Sequence, residues 1–70
     1  MIVWIGTTEW NGREGSVECV AASLELAERE MEHRWDGVWS EEWVRREHVA
    51  HRRLRDGGIA WIFPYEVVTE

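Results

Sequence analysis

A chain of 70 residues with a formal net charge of -6 makes one small domain, residues 1–70, with little apolar mass for a core. Cys19 is its single cysteine, which excludes an internal disulfide and favours a reducing, cytoplasmic setting. No run of about 18 apolar residues offers a membrane span, and "MIVWIGTTEW" has no basic leader of the signal-peptide kind.

Residues 2–10 read as a strand. Ile2, Trp4 and Gly6 alternate with Val3, Ile5 and Thr7, so both faces carry apolar groups, as in a central strand covered on both sides. Asn11-Gly12 is a strong hairpin turn signal, Gly15 suits a bulge or a longer turn, and "SVECVA" (16–21) returns as the second strand. Ser23 is placed to cap a helix with Glu25 in its first turn. Leu24, Ala27, Met31 and Trp35 then recur at helical spacing, with Glu25, Glu28 and Glu32 toward solvent and Asp36-Gly37 as the stop.

Residues 40–55 divide the reading. Ser40 as cap, Glu41 and Glu42 at the start, Arg52, Arg53 and Arg55 at the end and Gly57 beyond it fit a second helix. Trp43, Glu47, Ala50 and Leu54 would form its buried side. The rival is a strand over 47–55 that turns at Asp56-Gly57-Gly58 into the last strand. That strand would place Arg52 and Arg53 on opposite faces, so the helix is preferred. "IAWIFPYEVV" (59–68) closes the chain as a strand with Ile59, Trp61, Phe63, Tyr65 and Val67 on one face; Pro64 marks an edge or a bulge. The expected fold is α+β: a three-stranded, mainly antiparallel sheet with one or two helices on one face, in the order ββααβ.

The order strand, "EWNGREG", strand, "SLELAERE" and terminal "PYEVVTE" resembles small uncharacterised ββαβ proteins of bacteria and their phages, over about residues 1–35 and 59–70. The 36–58 insert departs from them. The resemblance implies a fold and a phage-like context, and it brings no activity to carry over.

Charge is polarised along the chain. Residues 1–42 carry ten acids and three arginines (-7), residues 43–55 five arginines and one acid (+4), and residues 56–70 three acids (-3). The basic segment "RREHVAHRRLR" contains His48-x-x-His51, and Glu30-x-x-His33 lies on the first helix, but such spacing is nonspecific and no metal site is assigned. Cys19 among valines reads as a small buried hydrophobe. No nucleophile elbow, phosphate loop or dinucleotide fingerprint occurs, so no catalytic residue and no cofactor is expected.

Of six tryptophans, Trp4, Trp35 and Trp61 fit apolar stripes, whereas Trp10 at the hairpin tip and Trp39 in the interhelical link do not. The resulting expectation is a non-enzymatic protein-interaction module, a phage or mobile-element inhibitor of a host protein. Its contacts would come from Trp10, Trp39, Trp43, Arg45, Arg52, Arg55, Glu25, Glu28 and Glu32. The alternative is a nucleic-acid-binding regulator using Arg45, Arg46, Arg52, Arg53 and Arg55. Homodimerisation through the last strand or the second helix is a third possibility.

Overall fold

Ser23 opens the one helix among the described residues. Its backbone is extended (φ -145°, ψ 161°), and its Oγ accepts from the Leu26 N–H at 3.2 Å, which satisfies one of the helix's free donors. Helix α1 runs Leu24–Arg34 with Glu25 in its first turn and His33 and Arg34 in its last, each where the helix dipole favours that charge. The Trp35 N–H closes it on Met31 O at 3.1 Å. The structure, a computed structural model, describes residues 1–10, 13–35 and 39–68. The expected Asn11-Gly12 turn and Asp36-Gly37 stop therefore lie outside the described residues.

Strands β1 (Ile2–Trp10), β2 (Arg13–Ala21), β3 (Val44–Arg46), β4 (Val49–Arg53) and β5 (Ile59–Glu66) form one five-stranded sheet ordered β2-β1-β5-β4-β3. Every pairing is antiparallel. This corrects the three-stranded ββααβ expectation: the sheet has five strands and the described residues hold a single helix. Residues expected to form the second helix make the β3–β4 hairpin instead, which joins the edge of β5.

The reason is tertiary. Side chains alternate across a strand, so Arg45, Ala50 and Arg52 face the helix side while Val44, Arg46, Val49, His51 and Arg53 face away. Charge on both faces is tolerated because acids of α1 reach the helix-side arginines. The turn between β3 and β4 has Glu47 at φ 55°, left-handed backbone that no glycine or asparagine advertises in the sequence. Ser40 caps nothing; its N–H and its Oγ both donate to Arg53 O, at 3.2 and 3.3 Å. Gly57, at φ 96°, sits in the β4–β5 turn, where Leu54 N–H donates to Gly58 O at 2.8 Å.

Pro64 lies in the central strand rather than at a sheet edge. The β4 ladder ends at Ala50 opposite Ile62, so Pro64, opposite Trp4 of β1, stands past the last residue that β4 pairs. Register shifts in the β1–β2 ladder fall between Gly6 and Thr7 and between Thr7 and Glu9, near the expected bulge at Gly15.

Helix α1 covers one face of the sheet. Ala27 and Met31 meet Ala50, Ala60 and Ile62, and Leu54, which bridges to Trp39, is also buried. Met31 and Ile62 are the largest fully buried side chains, each contributing about 1.5–3 kcal/mol. Gly6 leaves room for Met31: a Cβ there would stand 2.8 Å from its sulfur. Leu24, Cys19, Ala21, Trp4, Trp35, Trp39 and Trp43 complete this side of the sheet as half-buried neighbours.

Candidate docking surface

The helix side gathers most of the residues that the sequence marks for partner contact, and it sets them against one another. Arg45 donates through Nε to Glu28 Oε2 at 2.8 Å and through Nη2 to Glu28 Oε1, a bidentate charge-assisted pair. Glu28 is buried with only 8% of its side chain exposed, not turned to solvent as the helix pattern suggests, because β3 brings Arg45 over it. Bonding to the Glu28 carboxylate holds the Arg45 guanidinium above its ordinary pKa.

Arg52 stands beside this pair. Its guanidinium lies 4.8 Å from the Trp39 ring centroid and 6.0 Å from that of Trp43, and its Nη1 meets Glu32 Oε1 at 3.2 Å. Trp43 Nε1 donates to the same Glu32 oxygen at 2.8 Å, Trp39 Nε1 donates to Glu32 O at 3.5 Å, and Arg52 Nε donates to Glu41 O. Trp39 and Trp43 rings sit 5.4 Å apart. One arginine, two indoles and one carboxylate thus tie the segment after α1 to the sheet.

Trp10 packs 5.9 Å from Trp35, centroid to centroid, and lies against Gly58, where a Cβ would stand 2.4 Å from its ring. Of the remaining contact residues, Glu25 and Arg55 are exposed, as are Arg46 and Arg53. Cys19 donates its thiol to Ala27 O at 3.9 Å, and burial pushes that thiol up from its ordinary pKa. His48 is exposed in the β3–β4 turn, and His51 lies 5.0 Å from the Trp61 ring. Among the described residues no three metal-ligating side chains converge, and no helix is long and apolar enough to cross a membrane.

The opposite face of the sheet has no described element over it. β5 presents Ile59, Trp61, Phe63 and Tyr65 there. β1 adds Val3, Ile5, Thr7 and Glu9 beside them, β2 adds Val17 and Val20, and β4 adds Val49. Exposure is high for Val17 (60%), Val20 (60%) and Tyr65 (58%), and Val44 and Val49 are also exposed. A depression of about 530 Å³ runs between Thr7, Val17, Val49, Trp61 and Phe63. Trp61 Nε1 donates to Glu9 Oε2 at 3.2 Å along its rim.

Alternation alone puts Ile59, Trp61, Phe63, Tyr65 and Val67 on one face and fits Trp61 to a core stripe. The structure puts the smaller Ala60 and Ile62 under the helix and the aromatic row outside. The signal that finds this face is apolar character on both sides of β1 and β5 in a chain with one helix to cover them. No family model, curated protein or solved structure matches the chain.

Proposed function

We propose that the protein is a non-enzymatic interaction module that binds another protein through the open face of its sheet. The observation that carries this reading is the apolar expanse across β2, β1 and β5, bordered by Val49 of β4 and left open by the described residues, with three aromatic side chains in a line at its centre. Monomeric proteins rarely expose contiguous apolar patches beyond a few hundred Å², and larger ones mark interaction sites. Aromatic groups in a shallow depression ringed by polar residues are the usual energetic centre of a protein interface.

A protein partner is favoured over nucleic acid. Arg45 and Arg52, two of the five arginines that a phosphate-binding segment would use, are engaged by Glu28 and Glu32 on the helix side, facing away from the aromatic row. The acids of α1 surround them and would repel a phosphate backbone.

A photo-crosslinking side chain placed at Val17 or Val49, with Glu30 on the helix as the comparison position, tests the reading. Protein adducts at Val17 and Val49, lost when Phe63→Asp is added and missing at Glu30, are expected. Adducts to nucleic acid, or protein adducts confined to Glu30, would overturn it.

A further inference from the structure

The open face of the sheet has β5 at its centre. We infer that two chains pack sheet against sheet through it, about a twofold axis parallel to β5; the inference rests on the docking face proposed above and names its partner. Three observations carry it.

The first is symmetry. β5 is the middle strand of five, with β1 and β2 on one side and β4 and β3 on the other. A twofold axis along β5, lying between the two sheets, leaves position along the strand unchanged and exchanges the two sides. The row Trp61, Phe63, Tyr65 then lies over itself, and each copy's β1 lies over the other's β4. A self-complementary patch is what such an isologous contact needs.

The second is charge. Glu9 of β1, Ile59 of β5 and Arg53 of β4 stand in one row across the sheet, since Glu9 pairs with Ile59 and Ile59 with Arg53. The acid and the base are each one strand from β5, on opposite sides. The same axis sets Glu9 of one copy over Arg53 of the other, twice, at the aligned angle of about -30° that packed sheets adopt. Although the chain carries a net charge of -6, Glu25, Glu28, Glu30 and Glu32 lie on the helix side, away from the contact. Those four acids of α1 therefore do not face the second copy.

The third is size. The five strands hold nine, nine, three, five and eight residues, and at about 4.8 Å between strands and 3.3 Å per residue they cover roughly 540 Å². That footprint is about two thirds of the ~800 Å² per partner of a standard stable interface. The dimer also completes the protein physically, because β1 and β5 have apolar side chains on both faces and α1 covers one.

Sedimentation velocity across a dilution series reads the result directly. The wild type is expected to move from the 8.3 kDa chain to twice that mass as concentration rises. Glu9→Arg or Arg53→Glu should each weaken the dimer at least about tenfold by placing like charges opposite one another. The two together should restore it to within about threefold, and circular dichroism checks that each variant folds. A wild type that stays monomeric at every concentration overturns the second-copy inference. If Val17 and Val49 then still crosslink to a different protein, the docking-face reading stands alone. A dimer indifferent to both charge changes and to Phe63→Asp would place the contact elsewhere and overturn the inference as well.

Discussion

Removing Arg45 leaves the Glu28 carboxylate with 8% of its side chain exposed and no cation over it. Breaking a fully buried ion pair costs about 3–5 kcal/mol, but here the guanidinium is 58% exposed, so water reaches one side of the site. We therefore expect Arg45→Ala to destabilise the fold through the Glu28 carboxylate it strands, a buried acceptor whose loss of its partner costs about 1–3 kcal/mol. Glu28→Ala costs less, because the stranded arginine can turn into solvent. A double-mutant cycle should return a favourable coupling above the ~0.2–1 kcal/mol of an exposed pair. In a domain of this length a loss of that size lowers Tm by roughly 5–20 °C, readable by urea and thermal denaturation. A cost below about 0.5 kcal/mol for Arg45→Ala, with no coupling to Glu28, would refute the reasoning and return Arg45 to the pool of contacts for an outside partner.

Three further expectations follow from the same geometry. Arg52→Gln loses the stack on Trp39 and the contact with Glu32 and should cost about 1–2 kcal/mol, with a change in tryptophan fluorescence as Trp39 and Trp43 lose their shared cation. Glu47→Gly should stabilise the chain by about 0.5–1 kcal/mol in denaturant titration, since the left-handed backbone at φ 55° suits glycine. Cys19 should react with an aromatic disulfide reagent about tenfold or more slowly in the folded chain than in denaturant. Because burial raises its pKa, the neutral thiol is the form the fold favours. Its contribution is complete below the ordinary thiol value and fades as pH climbs through the raised one, so stability should fall on the alkaline side and Cys19→Ala should lessen that fall.

The first hairpin and α1 were legible in the sequence because their signals are local: alternation in 2–10, and a Ser23 cap followed by an apolar stripe at helical spacing. The β3–β4 hairpin was not. Its arginines look wrong for a strand until Glu28 and Glu32 are placed beside them, and those partners lie 17 and 20 residues away in the chain. Its turn uses Glu47 in place of glycine, while Ser40, Glu41, Glu42 and Gly57 happen to be spaced as helix punctuation. For that reason β3 has no counterpart in the sequence reading and β4 enters it only as the rival strand over 47–55, so the width of the sheet is lost. The docking face was half legible: the row Ile59, Trp61, Phe63, Tyr65 could be read, but which side the helix would cover depended on whether Met31 packs on Ala60 and Ile62 or on the aromatics. Small residues at 50 and 60, which let the helix approach closely, decide it.

Hydroxyl-radical footprinting of the aromatic residues, followed over a concentration series, tests the open face most directly. Trp61, Phe63 and Tyr65 should become protected together as copies associate, while Trp39 and Trp43, held by Arg52 and Glu32 within each chain, keep a constant reactivity. Protection that appears at Trp39 and Trp43 while Trp61, Phe63 and Tyr65 stay reactive throughout would contradict the account.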